Sequence, residues 1–228
     1  MRPLSIYYLF HFLLVSSVGY GQVIQGKVVD SETSEVLPFT NVFLNNTTIG
    51  TVTDINGVFN LISIKEPGSY ELVFSFVGYE SYKRKVIVDK ETLQLGTIKL
   101  IPSIIQLNTV EVAGTPDKEW RKKFKKIFLG EDKFAVNCTI LNPWVIDFPE
   151  DTVEKKFLVK ANAPIEIVND ALGYKVYYYL TDFWSQKEDY LINGNIRFEE
   201  INASNESQAL NWAKNRDKAF RNSYNYFF

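Results

Sequence analysis

Between residues 23 and 100 the sequence changes character every few residues. Short apolar or β-branched runs alternate with polar or glycine-containing breaks, and no window holds the 3.6-residue apolar period that a globular helix needs. Residues 23–29, 41–44, 47–53, 58–62, 70–77, 82–88 and 95–100 read as seven strands. Asn45-Asn46 tolerates the left-handed backbone of a tight turn, Asp54-Ile55-Asn56-Gly57 is a turn signal, and Pro67-Gly68 is another. Evenly spaced short strands with frequent turns predict a seven-stranded antiparallel β-sandwich.

The text changes after Leu100. Residues 102–115 form a linker, with Pro102 at its start. Thr115, Pro116 and Asp117 make a helix start, and Gly130 a helix stop. Trp120, Phe124, Ile127 and Phe128 share one face of this helix, and Lys118, Arg121, Lys122, Lys123, Lys125 and Lys126 the other. Such a basic amphipathic helix suits an anionic membrane surface, or a solvated face on a helix packed against its own domain. Strand-like text follows over residues 133–201, with Asn193-Gly194 as a bulge or turn. Residues 207–224 read as a helix with Leu210, Ala213 and Phe220 inward. The fold class is therefore mainly β, the sandwich being followed by an α+β domain over residues 116–228.

The residue inventory limits the chemistry. The sequence has one histidine, His11, and one cysteine, Cys138. His11 lies in a leader: Arg2 is followed by an apolar run and by the small residues Gly19 and Gly21, which predicts a cleaved signal peptide over residues 1–21. The mature chain then has no imidazole, and the usual His/Cys zinc sites and Ser–His or Cys–His pairs cannot be assembled. No metal and no cofactor is expected. No disulfide can form within the chain, so the fold rests on its apolar core. Cys138, flanked by Val136 and Ile140, reads as a buried inert thiol. The net charge of −2 argues against bulk nucleic-acid binding.

Linked motifs run through the first half: Gly26 and Asp30, then Leu37-Pro38-Phe39-Thr40, then Gly50-Thr51-Val52-Thr53-Asp54-Ile55-Asn56-Gly57-Val58-Phe59, then Phe74-Ser75-Phe76-Val77-Gly78-Tyr79. This string resembles the carboxypeptidase-like regulatory domain of exported Bacteroidota proteins. The resemblance implies a transthyretin-like β-sandwich over residues 22–101 and no peptidase activity. It also implies structural roles for Gly26, Asp30, Pro38, Gly50, Thr53, Asp54, Gly57, Phe59, Gly78 and Tyr79. The domain is similar too to the N-terminal extension of SusC-type TonB-dependent outer-membrane receptors. There a short segment after the sandwich contacts TonB, and the segment from Leu107 to Val112 looks similar to it. Trp120, Leu141-Asn142-Pro143, Asn169, Ala171-Leu172-Gly173-Tyr174, Trp212 and Arg216 resemble the downstream region of related proteins. In those relatives it runs further, which implies a C-terminal truncation of this chain.

These readings favour a non-catalytic binding or scaffold protein of the cell envelope, in the periplasm or at the outer membrane, with an envelope protein or glycan as partner. Asn169, Gly173 and Tyr174 form the candidate binding surface, at a turn leading into an aromatic strand. One alternative is a component of a TonB-dependent uptake system. Another is a carboxylate-based hydrolase drawing on Asp147, Glu150, Asp151 and Glu154 around Pro149.

Overall fold

The computed structural model describes residues 22–89, 92–103 and 118–222. The leader, the segment from Leu107 to Val112, the helix start at Thr115 and Pro116, and residues 223–228 lie outside the described residues. The described chain is mainly β and is arranged in several sheets.

The first half forms seven strands: β1 (Gln22–Asp30), β2 (Asn41–Leu44), β3 (Gly50–Val52), β4 (Val58–Ile64), β5 (Gly68–Ser75), β6 (Tyr82–Val88) and β7 (Leu93–Leu100). They make a three-stranded sheet, β4-β1-β7, and a four-stranded sheet, β3-β2-β5-β6. Ile24, Val28, Phe59, Leu61 and Ile98 from the first sheet meet Val42, Leu44, Leu72, Phe74 and Val86 from the second in one core. The expected all-antiparallel pairing needs one correction, because β1 and β7 are parallel. A tight hairpin imposes antiparallel neighbours, but the β6–β7 connection changes sheet, and β7 arrives beside β1 running the same way. A second correction concerns β3, which is only three residues long. The residues before it, Asn46 and Thr47, bond to the second half instead.

Polar clamps hold the turns. The Thr53 hydroxyl donates to Leu37 O (2.6 Å) and accepts from Thr40 N–H (2.9 Å), fixing the turn that begins at Pro38. Asp54 Oδ1 accepts from the N–H groups of Asn56 and Val58, and Gly57 takes φ +73°. A Cβ at Gly57 would also lie 2.7 Å from Val28 O. At Gly26 it would meet Gly96 O and the Phe59 ring. Gly78 (φ +83°) turns the chain out of β5, and Tyr79 packs back. Its hydroxyl donates to Asp30 Oδ2 at 2.6 Å, while Asp30 Oδ1 accepts from Glu32 and Thr33 N–H.

The second half contains α1 (Lys118–Leu129), β8 (Cys138–Ile140), β9 (Ile146–Asp147), β10 (Phe157–Leu158), β11 (Lys160–Ala161), β12 (Ile165–Asn169), β13 (Tyr174–Gln186), β14 (Asp189–Glu200) and α2 (Glu206–Arg221). Strands β10, β13, β12 and β8 lie in that order, with β14 also on β13; β9 and β11 pair separately. Phe124 of α1 is buried against Val145, Ile146, Ile165, Ile167 and Phe183. The apolar face of α1 is thus spent on its own core, and its lysines face solvent. For α2 the inward residue is Trp212, whereas Leu210, Ala213 and Phe220 are exposed. The reason is its docking partner, a row of backbone carbonyls. Trp212 Nε1 donates to Asp170 O, Asn215 Nδ2 to Ala171 O, and Arg216 to Leu172 O and Gly173 O. Polar side chains, rather than an apolar stripe, therefore select the packed face.

The Asp30–Tyr79 bond gives the fold a pH signature. The Tyr79 hydroxyl, followed by backbone N–H groups, holds the Asp30 carboxyl below its ordinary value of 3.8. The bond to Asp30, then burial, pushes Tyr79 from 10.0 up to about 12. Stability from Asp30 is present above its unfolded pKa and is lost as pH falls through the lowered folded value. Stability from Tyr79 is present below its unfolded value and is lost as pH rises toward about 12. Urea midpoints of the native chain should fall steeply between these two tyrosine values. Tyr79→Phe should start from a lower midpoint at neutral pH and show a shallower alkaline fall.

Candidate functional site

Alternation along β13 gives its two faces different tasks. Val176, Tyr178 and Leu180 pack on the core of the second half. Tyr177 and Tyr179 point the other way and meet Phe43 and Val73, on the outer face of the four-stranded sheet. Phe43 and Tyr179 stack with ring centroids 4.8 Å apart. Arg197 of β14 lies over the Tyr177 ring at 4.1 Å. Burial is the main reason the Tyr179 hydroxyl is raised above its ordinary pKa, with Arg197 opposing it.

Backbone bonds lock this seam. Asn46 N–H donates to Ile196 O, Ile196 N–H to Asn45 Oδ1, and Phe198 N–H to Thr47 O. Thr47 and Arg197 form a parallel bridge. The turn between β2 and β3 thereby pairs with the edge of β14. Gly50 belongs to the same seam, since a Cβ there would lie 3.0 Å from Arg197 Cδ.

One end of the seam is a cleft of about 660 Å³. Asn41, Ser75, Tyr82 and Lys83 line it from the four-stranded sheet; Phe76 and Tyr79 come from the turn after β5. Asn162 and Pro164 approach from the loop before β12, and Tyr179, Thr181 and Asn195 from the β13–β14 hairpin. The register of that hairpin shifts between Leu180 and Asp182, opposite Asn193 and Gly194; a bulge is present, but its extra residue is Thr181 on β13, not Asn193 or Gly194 on β14. Gly194 permits the close approach of the facing strand, because a Cβ there would sit 2.5 Å from the Tyr178 ring and 2.6 Å from Tyr179 O. Asn195 follows directly, opposite Tyr179. It has no exposed surface, and neither its Oδ1 nor its Nδ2 has a partner.

Sequence reasoning missed Asn195. The only signal was a polar residue between Gly194 and Ile196, indistinguishable in the text from a solvent-facing strand position. Its burial comes from the other half of the chain, which local alternation does not encode.

Asn169, Gly173 and Tyr174 lie together at the β12–β13 turn, away from this cleft. Asn169 uses its whole amide internally: Nδ2 donates to Phe134 O and Cys138 Sγ, and Oδ1 accepts from Ala171 and Leu172 N–H. Gly173 abuts Trp212, and Tyr174 lies under the Arg216 guanidinium at 3.9 Å. Gly173 and Tyr174 hold α2, and Asn169 ties their turn to Phe134 and Cys138. Cys138 is half-buried, and desolvation raises its thiol pKa. Around Pro149, Asp151 accepts from the N–H groups of Val153, Glu154 and Lys156, which hold its carboxyl below the ordinary value. Glu154 forms an ion pair with Lys156.

Residues 24–112 match the CarboxypepD_reg-like domain, and the chain carries that domain over its first half. No curated protein matches the chain. Several solved structures are similar to parts of it. One is a type II cohesin–X-dockerin complex from Acetivibrio cellulolyticus, at 23% identity and TM-score 0.31, covering 36% of this chain and 56% of that one. This chain thus spans little more than half of that structure's length. A putative membrane-associated protein of unknown function from Bacteroides fragilis is 15% identical over 70% of this chain and 65% of its own, at TM-score 0.27. A DUF3823 family protein from Bacteroides ovatus is 14% identical over 80% and 82%, at TM-score 0.28. Likeness this slight bears on neither the arrangement of the halves nor the role.

Two substitutions test the geometry. Phe43→Ala removes a fully buried ring from the seam and should cost about 3 kcal/mol, measured by urea unfolding. Gly173→Ala would place a Cβ 2.3 Å from the Trp212 ring. It should undock α2 and reduce the helical signal in far-UV circular dichroism while leaving the strand signal in place.

Proposed function

We propose that this CarboxypepD_reg-like domain protein is a non-catalytic, exported binding or scaffold protein of the cell envelope, and that the seam cleft is its ligand site. The observation that carries this reading is the cleft itself. Its volume lies within the ~300–1,000 Å³ typical of small-molecule sites. Its walls combine strand residues such as Asn41, Ser75, Tyr179 and Asn195 with the turn after β5 and the loop before β12.

The chemistry of the walls also favours binding over turnover. Amides and hydroxyls share the walls with apolar groups, and the described residues contain no histidine that could activate a serine or threonine. The carboxylate hydrolase reading needs one acid held protonated near neutral pH, which requires a raised pKa. Asp151 is shifted the opposite way, and its oxygens are committed to backbone N–H groups. An exported location rests on the leader-like residues 1–21, and a partner among envelope proteins or glycans follows from that location.

Expression of the full sequence in a Gram-negative host, followed by fractionation and N-terminal sequencing, tests the location. The chain should be recovered from the periplasm or outer membrane with Gln22 as its first residue. Retention in the cytoplasm with the leader intact would sink the envelope reading. Nitrophenyl glycosides and esters should not be hydrolysed; a turnover that disappears in Asp151→Asn would instead establish the hydrolase.

A further inference from the structure

We propose that the seam cleft binds a neutral saccharide, with the side-chain amide of Asn195 as the anchor. This rests on the binding reading above and narrows it to one ligand class. The starting point is an energetic anomaly. Buried polar groups are almost always hydrogen-bonded, yet Asn195 lines the cleft, is completely buried, and has both amide atoms without a partner in the chain. A neighbouring acceptor and donor are most simply satisfied by groups that both donate and accept. Hydroxyls do so.

The rest of the cleft fits a polyhydroxylated ligand. Asn41, Ser75, Asn162 and Thr181 offer further amides and hydroxyls around the anchor. Tyr82 and Phe76 offer ring surface for the C–H faces of a sugar. The charged lining residues Lys83 and Glu80 are opposite in sign, so the site lacks the clustered cations that a phosphate-bearing ligand draws on. A peptide is the nearest rival, because its amides also donate and accept. Extended peptides often bind by adding to a free strand edge; Asn41 pairs with Ser75 and Tyr179 with Asn195, whereas Tyr82 and Lys83 lie on the edge strand β6, so a peptide is kept as the rival probe. Both amide atoms of Asn195 are buried, so contact with them requires side-chain movement at the cleft, which is common at binding surfaces.

Thermal unfolding of the purified full chain, with maltotriose and cellotriose as probes, tests the assignment. N-acetyl-triglycine amide and inorganic phosphate serve as rivals. At about ten times its Kd, a trisaccharide should raise Tm by about 3 °C, and the rivals should leave it unchanged. Asn195→Leu should raise the Tm of the free protein, because an unpaired polar group is replaced by an apolar one, and should abolish the saccharide shift. If that variant does not fold, Asn162→Ala decides: this rim residue is exposed, so Tm should be unchanged and saccharide affinity should fall several-fold. A response to the peptide amide alone would overturn the saccharide assignment and leave the binding reading intact. No response to any probe would overturn both. An Asn195→Leu variant that is less stable and still shifts with saccharide would show the amide to be structural and overturn the anchor.

Discussion

Phe43 and Val73 point away from the core of the first half and are nevertheless completely buried. A sheet face carrying two large apolar groups cannot be left in water without loss of the burial free energy, about 25 cal/mol per Å² of apolar surface. The β13–β14 hairpin covers that face with Tyr177 and Tyr179, and this contact governs what surrounds it. It fixes the distance between the two sheets, brings the Asn45–Thr47 turn onto the edge of β14, and leaves the cleft where the two surfaces diverge. The same contact shields an edge strand that would otherwise present unpaired backbone groups.

The local architecture was readable because its causes are local. Turn residues announced Asp54–Gly57 and the positive-φ Asn46, and strand alternation placed β5 and β6. Gly130 stopped α1 where a left-handed glycine should. The misreadings share one physical origin: each depended on a partner distant in sequence. The direction of β7 was set by a change of sheet. The length of β3 was limited by bonds to the distant β14 edge, as in Phe198 N–H to Thr47 O. The inward face of α2 was chosen by the carbonyls of residues 170–173, so a search for an apolar stripe picked Leu210 and Phe220 over Trp212.

The motif residues of the first half act as pins rather than as chemistry. Asp30, Thr53 and Asp54 each bind backbone N–H groups or a distant hydroxyl, and Gly26, Gly50 and Gly57 permit close approaches that a Cβ would block. In a chain with a single cysteine, such bonds do at the turns what disulfides do in disulfide-rich domains. A motif string that specifies turns explains how a sandwich can be recognised from sequence while its ligand cannot.

Where polar groups are left unsatisfied is more informative. Among the described residues, the buried side-chain atoms without partners are Gln22 Oε1, both amide atoms of Asn195, and Arg197 Nε. All but the first belong to one strand, two residues apart, on the face that meets the other half of the chain. Random packing defects would scatter through both cores. Apolar residues at these positions would close the seam at lower cost, because each unpaired buried group carries a desolvation penalty of about 1–3 kcal/mol. The penalty is instead concentrated at the junction of the two sheets, beside the close approach that Gly194 permits. Sequence rules that favour folding are most often broken where function needs it. Among the described residues the break falls mostly on β14, with Asn195 at the cleft and Arg197 in the seam beside it, and not on the motif-bearing turns.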